Sequence, residues 1–181
     1  MKTFISMLRA INVGGQKKIA VQALQRAYEQ LNLANVRTYV QSGNVVFDCE
    51  EQEISILTKR IETQIEQTFG YPVPVFMRDM QDFHRIITSN PFLKGRNEDP
   101  SKLHVTFLYE PPSEVILGNL INTFADGDEF SPGEQEIYLF CPNGYGRTRL
   151  SNSFFERKLS IPATTRNWRT VNALYRMAKE R

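Results

Sequence analysis

Two cysteines, two histidines and one tryptophan are all that this 181-residue chain has of those residue types. Cys49 and Cys141 are too few for a disulfide framework and too far apart for a local metal motif. Free cysteines are usually small buried hydrophobes, and these two are expected to be so. His84 falls on the apolar side of MQDFHRII and His104 lies mid-strand. Neither has a flanking ladder of carboxylates, so no metal site is expected. No apolar run approaches the roughly 20 residues of a membrane-spanning helix. The opening MKTFISMLRAINVGG is interrupted by Ser6 and Arg9 and lacks a small-residue cleavage site. It reads as a strand rather than a signal peptide, and the cytoplasm is the expected compartment. No cofactor motif stands out.

Charge of one sign is also lacking overall: 22 basic residues against 20 acidic, a net +2. The distribution is uneven. Residues 95–141 hold two basic and nine acidic residues, whereas residues 142–181 hold nine basic and two acidic. The basic tail either meets an anionic partner or pairs with the acidic segment before it.

What the chain does have is an internal repeat of element order. KTFISMLR (Lys2–Arg9) and KLHVTFLY (Lys102–Tyr109) both read as strands. A helical pattern follows each, Ala20–Leu31 and Ser113–Phe124, with apolar residues on one face. Then come hairpins: Asn35–Val40 and Val45–Cys49 around QSGN, and Gly127–Phe130 and Glu136–Cys141 around SPGEQ. Each half continues with a helix (Ile54–Phe69; Ser153–Leu159), a short strand after a proline (Pro72–Met77; Pro162–Thr165) and a last helix (Asp79–Thr88; Asn167–Lys179). The expected fold is therefore α+β: two tandem ferredoxin-like β-α-β-β-α-β halves, each followed by an extra helix. The expected domains are residues 1–92 and 102–181. A linker of mixed charge with proline and glycine, 93–101, joins them.

The repeat acts as an internal control, because the halves differ at two loops. After the first strand, EPP in the second half is matched by AINVGGQKKI in the first. After the third strand, about four residues in the first half are matched by PNGYGRTRLS in the second. Connections have a median near 4–6 residues, and longer ones are more often functional. In a 4-1-3-2 sheet, strands three and four finish at the same end, about 10 Å apart. That would set Arg147 and Arg149 opposite Thr164, Thr165, Arg166, Asn167 and Arg169. The starts of two helices would lie beside them, and helix starts favour anions. Arginine forks suit phosphate or carboxylate. The repeat aligns Arg78 with Arg166 and Asp79 with Asn167, so Asn167 is expected to cap the last helix and Trp168 to anchor it in the core.

In the first-half loop, Arg9, Asn12, Gly14, Gly15 and Lys17 form a second candidate. It is neither a Walker A loop nor G-x-G-x-x-G. Its glycines would let backbone N–H groups cradle an anion; a plain surface loop is the alternative. The hairpin adds Ser42 and Asn44, and Tyr39 and Gln41 on a polar face shared with Arg37 that would pack on the other domain or stay open. No nucleophile–base pair is evident.

Taken together, LRAINVGGQKKI, VRTYVQSGNVVF, KLHVTFL and ATTRNWRTV resemble a bacterial family known as domain of unknown function 1697. The resemblance spans nearly the whole chain. It implies two ferredoxin-like halves and no established activity, substrate or cofactor. The family usually has glycine where this chain has Ala10, and Ser-Lys where it has Thr148-Arg149. Three functions follow as expectations. The first is a binding module for a phosphate-bearing ligand such as a nucleotide or nucleic acid. The others are an enzyme acting on a phosphorylated small molecule, with Tyr39, Gln41, Asn44 and Trp168 in a cleft, and a protein-interaction or dimerisation module.

Overall fold

The computed structural model describes residues 1–50, 53–120 and 127–180. Contacts divide the chain into two compact units: Met1–His84 with Leu174–Arg181, and Arg85–Ala173.

In the first unit the order is β1 (Lys2–Leu8), α1 (Val21–Glu29), β2 (Ala34–Tyr39), β3 (Asn44–Cys49), α2 (Ile54–Phe69), β4 (Val75–Asp79) and the start of α3 (Met80–Thr88). The four strands form an antiparallel sheet ordered β2-β3-β1-β4. Alternation along β1 sends Phe4 and Leu8 into a core shared with Val45, Phe47 and Val75. Helix α1 contributes Leu24 and Tyr28 to it, and α2 contributes Leu57, Ile61 and Ile65 at four-residue spacing. Gly70, at φ +84, closes α2 in the left-handed conformation that glycine adopts without strain. Strand β4 begins at Val75 rather than at Pro72, because Pro72 and Pro74 have no N–H to give a ladder.

The second unit repeats the order. After the end of α3 come β5 (Leu103–Leu108), α4 (Glu114–Leu120), β6 (Glu129–Pro132), β7 (Glu136–Phe140), α5 (Asn152–Leu159), β8 (Ala163–Asn167) and the start of α6 (Trp168–Lys179). Its antiparallel sheet is ordered β6-β7-β5-β8. Leu108, Ile137, Leu139, Phe155 and Ala163 build its core. The strand expected over Gly127–Phe130 lies at Glu129–Pro132. Part of the helix expected over Ser113–Phe124, including Ile121 and Phe124, lies outside the described residues.

The expected caps form. Asp82 N–H donates to Asp79 Oδ1 at 2.9 Å, and Thr170 N–H donates to Asn167 Oδ1 at 2.8 Å. Trp168 is buried, as are Val171, Leu174 and Ala178 on the same face of α6. His84, expected on the apolar side of its helix, is instead exposed, because Phe83 and Ile86 occupy the buried face. Its Nδ1 lies 2.7 Å from the Tyr175 hydroxyl.

The segment 93–101 is tied down. Arg96 bonds Glu98 and both carboxylate oxygens of Glu129, and its guanidinium lies 5.3 Å from the Phe92 ring centre. Glu136 is fully buried and held by Arg85 and by the N–H groups of Glu134 and Gln135. Much of the acidic segment's charge is thus met within its own unit. Among the described residues, no helix is long and apolar enough to cross a membrane.

Candidate functional site

Antiparallel pairing decides where the second unit's polar residues go. Val105 pairs with Arg166 and Thr106 with Thr165, so successive residues of β8 face opposite sides of the sheet. Thr165 turns toward α5. Its hydroxyl meets Asn152 Oδ1 and lies 2.8 Å from the Thr106 hydroxyl. Thr164 and Arg166 turn the other way and are buried together, with Arg166 Nη1 donating to Thr164 Oγ1 at 2.8 Å and to Thr165 O at 3.0 Å. Burial pulls the Arg166 pKa down to about 10, so it stays a cation at neutral pH.

Arg147, Arg149 and Arg169 are exposed. The loop that carries the first two folds on itself. Thr148 donates to Asp128 Oδ2 at 2.6 Å, and a short 3₁₀ turn over Tyr145–Arg147 stacks the Tyr145 ring on His104, with centroids 4.8 Å apart. Ser151 then caps α5 by accepting from Phe154 N–H, as Asn167 caps α6. Both helix starts are therefore filled by side chains. Burial lowers the His104 pKa, raises that of Tyr145 and lifts the Cys141 thiol to about 11. At neutral pH this cluster holds a neutral imidazole, a phenol and a thiol, which are groups suited to packing.

The first unit is built differently. Asn12 is the hub of the loop after β1. Its Oδ1 accepts from Ile19 N–H at 2.9 Å, and its Nδ2 donates to Ile19 O at 2.9 Å and to Gln41 O at 2.7 Å. One amide thereby fastens the loop both to the start of α1 and to the β2–β3 hairpin. The loop's path needs left-handed backbone at Ala10, Asn12, Gly14, Gly15 and Lys17. Gly43 in the hairpin is held tightly: at φ +74, a Cβ would stand 2.7 Å from Ile11 Cδ1 and 2.8 Å from Leu8 Cβ.

Between loop, hairpin and helix lies a cavity of about 520 Å³. Asn12, Gly15, Lys18, Gln22 and Gln41 give it polar walls, and Ile19, Ala20 and Val21 line the rest. Helix α1 starts there without a side-chain cap, since Ala20 has none to offer, and no acidic residue sits in the first turn. Its first N–H groups and the positive end of its dipole are available to an anion.

Of the first-half candidates, Asn12, Gly15 and Gln41 line this cavity. Lys17 is drawn elsewhere, with Nζ 3.3 Å from Pro72 O and 5.7 Å from the centre of the Tyr71 ring. Lys18 takes the place in the wall. Gly14 is exposed, and Arg9 is half-buried with its N–H on Pro74 O. Tyr39, Ser42 and Asn44 shape the hairpin: buried Asn44 donates to Tyr39 O and to Ser42 Oγ. Lys18 belongs to the basic pair of the loop that the sequence pointed to, whereas Gln22 was not singled out by spacing. The signal for it was a helix start with none of Ser, Thr, Asp or Asn at its cap position. Among the described residues, no cluster of His, Cys, Asp and Glu could hold a metal.

The architecture has a solved counterpart. It is similar to the structure of conserved bacterial protein SP0830 from Streptococcus pneumoniae, with a TM-score of 0.76, 21% identity and 98% of each chain covered. Comparison with curated proteins finds none that matches. Residues 1–138, which include the α1 cavity and end before the Arg147 loop, match the family described as "Protein of unknown function (DUF1697)", and the chain belongs to that family.

Proposed function

We propose that the protein is a binding module for a phosphate-bearing ligand, seated in the cavity at the start of α1. The observation that carries the reading is a convergence within one 520 Å³ space: an uncapped helix start, Lys18 and a glycine turn. Backbone N–H groups at a helix start bind anions through hydrogen bonds and the helix dipole together. A lysine adds a point charge. The only titratable side chain among the described lining residues is Lys18, which favours binding over catalysis. In the same reading each half is a ferredoxin-like β-α-β-β-α-β unit followed by an extra helix, and the protein works in the cytoplasm. The exposed Arg147, Arg149 and Arg169 lie outside this site.

Titration calorimetry of the full chain with phosphate-bearing small molecules, at low and physiological salt, tests the reading. Loss of a charge-assisted hydrogen bond costs about 1.5–3 kcal/mol, so Lys18→Ala should weaken binding roughly tenfold or more. Arg147→Ala with Arg149→Ala should leave it unchanged. Absence of binding at low salt, or indifference to Lys18→Ala, overturns it.

A further inference from the structure

We infer that the loop of residues 142–151 is a pH-operated latch: it closes over Cys141 while His104 is neutral and opens when His104 takes up a proton. The latch lies wholly within the second unit and is independent of the cavity at α1.

The loop earns its closed position from what it covers. Tyr145 lays its ring on the His104 imidazole, with centroids 4.8 Å apart and an interplanar angle of 25°. Thr148 meets the Cys141 thiol and donates to Asp128 Oδ2 at 2.6 Å. Gly144 N–H donates to Cys141 O at 3.0 Å. Under this cover Cys141 is fully buried, as is Leu150 at the far end of the loop. The rest of the loop stands clear. Asn143, Gly146, Arg147 and Arg149 are exposed, and a Cβ at Gly144 or Gly146 would meet nothing within 4 Å. Lifting it breaks these few contacts and leaves the ladder of β5 with β7 and β8 in place.

His104 is the switch. It is only 9% exposed, and its Nδ1 is enclosed with no hydrogen-bond partner. Buried polar atoms are nearly always partnered, so an exception asks for a reason. A protonated imidazole has two N–H donors. Nδ1–H would then be a buried donor on a charged ring, without an acceptor, which is unfavourable until water reaches it.

The surroundings do not offset that charge. The Lys102 carbonyl counters part of the burial. The ladder partners Leu139 and Asn167 are neutral. The loop contributes the Tyr145 phenol and β7 the Cys141 thiol, while Asn152 of α5 meets the Tyr145 hydroxyl. Asp128 is engaged by Thr148. Arg166 acts on Tyr145, and Arg147 and Arg149 ride on the loop; all three are cations. Burial accordingly holds the His104 pKa below its ordinary value. Opening admits water and restores that value. The closed form is therefore favoured in full above about pH 6.5 and loses ground as pH falls, by at most about tenfold per pH unit.

The experiment measures thiol reactivity of the full chain with dithiodipyridine at pH 7.5 and pH 5.5. Each cysteine is resolved by mass spectrometry, and each rate is divided by that of N-acetylcysteine at the same pH. Cys49, buried in the first unit, is the reference for opening elsewhere. The normalised Cys141 rate should rise several-fold, up to about tenfold, while that of Cys49 changes less than twofold. His104→Phe and His104→Gln, neutral at both pH values, should each remove the rise. Amide exchange at Gly144, Thr148 and Leu150, corrected for intrinsic rates, should increase over the same interval, and that of β5 should not. An unchanged Cys141 rate, a rise shared by Cys49 or by the β5 amides, or a rise that survives both substitutions overturns the inference.

Discussion

The loop of residues 10–19 and the loop of residues 142–151 each hold two glycines and two cations. The first runs into a helix start with no side chain over it; the second runs into one that Ser151 closes. In the first, a single asparagine braces the backbone and leaves space beside it. In the second, Thr148 bonds Asp128, and Asn152 accepts from Tyr145 and Thr165. Glycines and cations therefore do not tell the two loops apart. What separates the two loops is whether the polar groups of the helix start are already satisfied.

The largest expected effect breaks the frame of the first loop. Gly43→Ala meets both a left-handed backbone and two close contacts. It should cost about 2–4 kcal/mol, a fall in Tm of roughly 5–15 °C. Gly14→Ala, also left-handed but with nothing within 4 Å, should cost only about 1–2 kcal/mol. Equal losses in thermal unfolding would show that the hairpin is not the brace.

A cap swap is gentler and sharpens the contrast. Ser151→Ala should destabilise by about 1 kcal/mol. Ala20→Asp, at a residue already in the extended cap conformation, should stabilise by about 0.5–1 kcal/mol while abolishing phosphate binding. Denaturant unfolding paired with calorimetry reads both changes. A capped α1 that still binds would separate the site from the helix start.

The smallest effect belongs to the second region. His104 is held neutral by burial, with its folded pKa below the ordinary 6.5. The unfolded chain therefore binds more protons near pH 6, and this residue's contribution to stability is present above pH 6.5 and lost as pH falls below it. Urea midpoints compared at pH 8 and pH 6 should show a modest loss that His104→Phe, which keeps a ring against Tyr145, removes. A pH response that survives the substitution would assign it elsewhere.

Element order was readable because period-2 and period-3.6 patterns switch cleanly along the chain, and α2 falls on its expected bounds because Leu57, Ile61 and Ile65 leave one choice of face. The Asp79 and Asn167 caps were readable for the same local reason. Which way a loop lysine points was not. Lys17 and Lys18 differ only in what the chain brings near them, and Pro72 and Tyr71 arrive from over fifty residues away. Alternation along β8 alone sets Thr165 and Arg166 on opposite sides of the sheet. What the sequence did not reveal is that Arg166 is buried there, since packing from outside the strand decides it.

The unit assignment of α6 bears on how the protein is made. Leu174 and Ala178 are buried, Arg37 donates to Met177 O and Tyr175 meets His84, all within the unit that begins at Met1. At roughly 5–20 residues per second, the ribosome needs on the order of ten seconds to make the intervening Arg85–Ala173. During that time the first sheet waits for its last helical turns. A sheet made before the 85–173 stretch is thus completed by residues made after it, and until then the nascent sheet is still missing a piece.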